Sequence, residues 1–151
     1  MTMSLKDIMQ GAIEQKASDI HLKVGCPPIY RVDGDLVRLS GAALTEDDMS
    51  AYLKQLASDE DIDRFKKNYE LDGSYMLDDS VRFRVNVCKE DSSTRIVMRL
   101  IPLVIKKIED LALPPVLKKV CTLKTGLVLV TGPTGSGKST SLAAMIDEIN
   151  E

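Results

Sequence analysis

The stretch Gly132-Pro133-Thr134-Gly135-Ser136-Gly137-Lys138-Ser139 constrains the fold of this chain more than any other feature. It fits the pattern G-x-x-x-x-G-K-[ST] in full, and Thr140 follows it. Glycines let the backbone turn tightly and aim successive N–H groups at one point, making a nest for phosphate oxygens. A helix starting near Lys138 adds the positive end of its dipole there. The Lys138 ammonium is placed to meet β- and γ-phosphates, and the Ser139 hydroxyl to complete the coordination of Mg²⁺. The flanks agree. Leu127 to Val130 is a continuous apolar run that predicts a buried parallel strand. Leu142, Ala143, Met145, Ile146 and Ile149 predict a packed helix after the loop.

Upstream of this loop, residues 1–101 read as an α+β unit with an antiparallel sheet. Ser4 with Asp7 predicts a capped helix whose stripe is Leu5, Ile8, Met9, Ala12 and Ile13. Ile20, Leu22 and Val24 alternate as a half-buried strand, and Asp33-Gly34 joins a hairpin of Ile29–Val32 and Leu36–Leu39. Thr45 with Asp48 and Ser58 with Asp61 predict the starts of two short helices. Strands return at about Ser74–Leu77, Val81–Cys88 and Arg95–Ile101, the last ended by Pro102. Residues 102–113 read as a linker, and residues 114–151 as a second unit that begins with a short helix through Lys119.

Composition narrows the function. The 151 residues carry 20 basic and 23 acidic side chains, a formal charge of −3, the wrong balance for a general nucleic-acid binder. The 44% hydrophobic content suffices for a packed core, but no apolar run approaches the roughly 18 residues of a membrane span. Cys26, Cys88 and Cys121 are widely separated, without a C-x-x-C pair, and His21 is the only histidine. They read as buried thiols in a reducing compartment rather than as a disulfide framework or a zinc site.

Two predicted strands carry a further pattern. In Val81–Val87 the apolar residues alternate with Arg82, Arg84 and Asn86, and in Arg95–Leu100 they alternate with Arg95 and Arg99. If both strands share a sheet, four arginines fall on one face. The plain alternative is a solvated face with scattered ion pairs. Beside a phosphate loop, guanidinium groups directed at phosphate are the better reading, since the planar fork donates two hydrogen bonds and keeps its charge. Arginines aimed at a γ-phosphate raise turnover by roughly 10³ to 10⁵ in enzymes of this kind.

Five segments in order, Ala17-Ser18-Asp19-Ile20-His21-Leu22, Gly25 with Pro27-Pro28, Arg31-Val32-Asp33-Gly34-Asp35, Arg82-Phe83-Arg84-Val85-Asn86 and Thr131–Thr140, resemble the type IV pilus retraction (twitching-motility) ATPases of the type II/IV secretion superfamily. The resemblance implies a PAS-like N-terminal domain, a linker, and the start (strand, phosphate loop, helix) of a RecA-like α/β ATPase domain. It implies a hexameric ring with ATP and Mg²⁺ held between the two domains, and hydrolysis that drives domain rotation. The location implied is cytoplasmic, peripheral to the inner membrane, with an inner-membrane platform protein of the pilus as partner and no nucleic acid. The second arginine of the R-F-R-V-N motif contacts nucleotide in that family, which maps to Arg84, and Arg99 is the candidate partner. The implied nucleotide-binding set is Arg84, Gly135, Ser136, Gly137, Lys138, Ser139 and Thr140, with Ser139 on the metal and Arg84 and Arg99 as catalytic candidates. The acidic-box, Walker B and His-box segments of the family are absent, so the chain reads as an N-terminal portion that binds nucleotide weakly, if at all, without turning it over. A pilus-extension or secretion ATPase, and a non-catalytic sensor or interaction module, are the competing readings.

Overall fold

The computed structural model describes residues 3–91, 93–133 and 136–151, with backbone only at Pro102. The chain divides into two units, the first ending at Leu103 and the second beginning at Val104. The first unit is α+β, and its elements follow from local chemistry. Helix α1 (Leu5–Glu14) starts where the Asp7 N–H donates to Ser4 Oγ, and it buries Leu5, Ile8, Met9 and Ala12. Strand β1 (Asp19–Lys23) leads into the hairpin β2 (Ile29–Val32) and β3 (Asp35–Arg38). Asp33 and Gly34 between them both take positive φ, 50° and 95°, as a two-residue hairpin loop demands. Helix α2 (Glu46–Leu56) opens with a capping box in which the Asp48 N–H donates to Thr45 Oγ1 and the Thr45 N–H donates to the Asp48 carboxylate. Helix α3 (Asp59–Asn68) is capped by Ser58 and stops at Tyr69, which is left-handed at φ 60°. Strands β4 (Glu70–Asp78), β5 (Val81–Glu90) and β6 (Ser93–Pro102) complete the unit.

The six strands form one sheet in the order β3-β2-β1-β6-β5-β4, and every pairing is antiparallel. Helices α1, α2 and α3 pack on β1, β6 and β4. On the inner face Ile20, Leu22, Tyr30, Phe83, Val85, Val87, Ile96 and Met98 are buried. Because strand side chains alternate, that inward set turns Asp19, His21, Arg31, Arg82, Arg84, Asn86, Arg95 and Arg99 to the opposite face. Two tyrosine hydroxyls pin the N-terminal segment to this core. Tyr30 donates to the Ile8 carbonyl at 2.5 Å and Tyr52 to the Met3 carbonyl at 2.6 Å.

Three strands run longer than the sequence predicts: β5 continues past Cys88 to Glu90, β6 spans Ser93–Pro102 rather than Arg95–Ile101, and β4 is extended most. Strand β4 begins at Glu70 rather than Ser74, because Leu71 pairs with Val87 and Asp72 with Asn86, and tertiary pairing overrides the poor strand propensity of Asp72 and Gly73.

The second unit contains α4 (Val116–Cys121) and α5 (Lys138–Asn150), packed on each other. Its centre is Ile108, Ala144 and Met145, edged by Leu111, Leu113, Leu117, Val120 and Cys121. The strand expected at Leu127–Val130 does not form. A strand exists by pairing its backbone N–H and C=O groups, and no other segment of this unit is a strand among the described residues. Leu127 and Leu129 are accordingly 83% and 74% exposed. Of the apolar positions expected to pack in the last helix, Met145 is buried, whereas Leu142, Ile146 and Ile149 are exposed.

Candidate functional site

Two groups of residues carry chemistry, one in each unit. In the second, Gly137 is the N-cap of α5 with a left-handed φ of 86°, and it brings no side-chain acceptor to the first turn. Those amides and the helix dipole are therefore available to an anion. Lys138 curls back so that its ammonium donates to the carbonyls of Gly132 at 2.7 Å and Pro133 at 2.5 Å. The Ser136 N–H donates to the Pro133 carbonyl at 3.3 Å. Ser136, Ser139 and Thr140 are exposed, so both hydroxyls of the first turn are open to a ligand or metal. The uncapped amides, the lysine and the two hydroxyls at the start of α5 are groups whose chemistry suits a polyphosphate with a divalent cation. Gly135, which the sequence places in the phosphate nest, lies outside the described residues.

In the first unit the sheet register aligns one row of side chains across four strands. Arg31 stands opposite Asp19, Asp19 opposite Arg99, and Arg99 opposite Arg84. Arg84 and Arg99 are direct cross-strand neighbours, with side chains 69% and 68% exposed. Asp19 Oδ1 accepts from Arg99 Nε at 2.9 Å, and Oδ2 accepts from Ser18 Oγ at 2.8 Å and lies 3.5 Å from Arg31 Nε. The nearest carboxylate to Arg84 is Asp72, 3.9 Å away. Asp19, Asp72, Arg84, Asn86, Val97 and Arg99 line an open cavity of about 260 Å³.

Burial pushes the Asp19 carboxyl up, but hydrogen bonds from Ser18 and Arg99, with the charge of Arg99, outweigh it and hold the pKa below the usual carboxylate range. His21, the next outward residue of β1, is held below its ordinary value by burial and by the charge of Arg31, against the opposing pull of Asp19. Its Nε2 is buried without a hydrogen-bond partner among the described residues.

Arg82 and Arg95 share the face but not this row. Arg82 stands opposite Ile101, and Arg95 faces Glu90 at 3.8 Å. Sequence reasoning found Arg84 and Arg99 and missed Asp19 and Arg31. Both occupy outward positions of their strands, but what joins them to Arg99 is the pairing of β1 with β2 and β6.

A family model described as type II/IV secretion system protein matches residues 1–151. The chain is 39% identical over 148 residues to the type IV pilus retraction ATPase PilT of Pseudomonas aeruginosa, covering 98% of this chain and 43% of that one. It is 38% identical over 126 residues to a twitching motility protein of Neisseria gonorrhoeae, covering 83% and 34%. A crystal structure of the pilus retraction motor PilT with bound ADP superposes with a TM-score of 0.80 at 39% identity, over 99% of this chain and 44% of that one. The chain therefore spans less than half the length of the relatives it matches. On this evidence of sequence and fold, the chain belongs to the type II/IV secretion system protein family.

Proposed function

We propose that this chain is the nucleotide-binding part of a cytoplasmic motor ATPase that powers type IV pilus retraction. The observation that carries this reading is the start of α5, where an uncapped helix N-terminus, Lys138 and two exposed hydroxyls fall within one turn. Bound ADP in the pilus retraction motor to which the chain is 39% identical supports a nucleotide as the ligand. Retraction is favoured over extension because the two relatives at 38% and 39% identity are a retraction ATPase and a twitching motility protein.

In this reading the first unit is the PAS-like N-terminal domain and the second is the start of the RecA-like domain. Lys138 leaves the Gly132 and Pro133 carbonyls for the β- and γ-phosphates, and the amides of residues 135–140 hold the phosphate tail. The Ser139 hydroxyl would hold Mg²⁺, which neutralises charge on the β- and γ-phosphate oxygens when bound. Arg84 and Arg99 supply guanidinium groups to the polyphosphate, and subunits assemble as a hexameric ring on an inner-membrane platform protein. No helix among the described residues is long and apolar enough to cross a membrane.

The test is equilibrium binding of a fluorescent ATP analogue with Mg²⁺. Lys138→Ala is expected to weaken binding at least about tenfold, the order expected for a lost charge-assisted contact to phosphate. Equal affinity of the two proteins would exclude the phosphate loop as the nucleotide site.

A further inference from the structure

A buried carboxylate beside two exposed arginines needs a reason. Asp19 is only 5% exposed, so its charge is of little use to solvent, and a negative charge next to Arg84 and Arg99 repels an incoming phosphate. We infer that Asp19 is a positioning residue that fixes the Arg99 guanidinium for the nucleotide polyphosphate; this rests on the reading that the arginine row meets nucleotide.

The geometry supports that role at three points. Asp19 engages Arg99 through Nε at 2.9 Å, which holds the stem of the guanidinium and leaves the terminal pair of Nη groups for a bidentate contact with phosphate. The Arg99 side chain is 68% exposed, and at such exposure an arginine without an anchor samples many rotamers. Asp19 itself is fixed from the other side, by the Ser18 hydroxyl at 2.8 Å and Arg31 Nε at 3.5 Å, while Arg31 Nη1 donates to the Gly34 carbonyl at 2.9 Å. The carboxylate thus ties the β2–β3 turn to β6 through one buried atom pair. It also offsets the cost of placing Arg99 directly opposite Arg84, a like-charge pair that a sheet otherwise disfavours.

Positioning and simple electrostatics predict opposite signs for Asp19→Asn. Removing a negative charge beside an anion site tightens phosphate binding by Coulomb attraction, whereas removing an anchor weakens it. The experiment is an ATP titration of the ¹⁵N-labelled chain that follows the arginine Nε–Hε signals. In the unsubstituted protein, ATP shifts the Arg84 and Arg99 signals. In Asp19→Asn, where a neutral amide oxygen replaces the carboxylate, the Arg99 Nε–Hε signal moves toward the position of a free arginine and the ATP dissociation constant rises about fivefold or more, the loss expected when a charge-assisted contact is weakened. Asp19→Glu, which keeps the carboxylate, recovers part of both.

Arg99→Lys gives the same answer if Asp19→Asn fails to fold. It keeps the charge and removes the fork, so affinity falls by a similar factor. Equal or tighter ATP binding by Asp19→Asn, or unchanged binding by Arg99→Lys, overturns the positioning role alone. An unsubstituted protein whose arginine signals ignore ATP overturns the role together with the reading beneath it.

Discussion

Gly132 holds a backbone conformation that side-chain-bearing residues rarely adopt. A Cβ built there lies 2.7 Å from Ser136 Oγ, and the backbone sits at φ 151°, where side-chain-bearing residues are strained. Ser136 and Lys138 depend on the same turn, since the Ser136 N–H and the Lys138 ammonium both donate to the Pro133 carbonyl. Gly132→Ala is therefore expected to lower ATP affinity by about tenfold by displacing Ser136 and Lys138, with the melting of the first unit unchanged. Calorimetric titration beside a thermal melt checks both halves; a variant that binds ATP normally would show that the loop does not need this close approach.

At the scale of elements, α1 and β2 fit each other through one missing methyl group. A Cβ on Gly11 would lie 2.9 Å from the Tyr30 hydroxyl, which is buried and bonded to the Ile8 carbonyl. Burial, with the Glu14 charge second, pushes the Tyr30 pKa up to about 12, so the hydroxyl stays a donor throughout the neutral range. Helix propensity alone predicts that Gly11→Ala stabilises by about 1 kcal/mol. Overpacking a rigid ring costs about 1–3 kcal/mol, so a net loss of stability is expected in denaturant unfolding. Adding Tyr30→Phe should relieve part of the clash and make the two changes non-additive.

The elements also show what the sequence could and could not reveal. The caps at Ser4, Thr45 and Ser58, the Asp33-Gly34 turn and the two arginine-bearing strands are local patterns, and all of them form as their residues predict. The start of β4 was hidden because Asp72 and Gly73 become strand only by pairing with β5. The Leu127–Val130 run has the composition of a strand, but composition cannot supply the neighbour it must pair with. Arg84 and Arg99 were visible as alternation, whereas the Asp19 link appears only once β1 is known to lie beside β6.

On the scale of the whole molecule, the two units are unequal. The first is built around a continuous apolar core that includes Tyr30, Phe83, Ile96 and Met98, each fully buried, and the described core of the second consists of Ile108, Ala144 and Met145. Leu127, Leu129, Ile146 and Ile149 lie exposed on the second unit. Local stability follows buried apolar contact, so amides of the second unit should exchange with solvent faster than those of the central strands. Nucleotide that binds the folded loop and not the open one must slow that exchange by mass action.

Hydrogen exchange read by mass spectrometry, with and without millimolar Mg·ATP, tests the central claim most directly. The account predicts slowed exchange in the peptide spanning residues 132–142, and loss of that protection in Lys138→Ala. Unchanged exchange in that peptide at saturating nucleotide, or equal protection in Lys138→Ala, would contradict it.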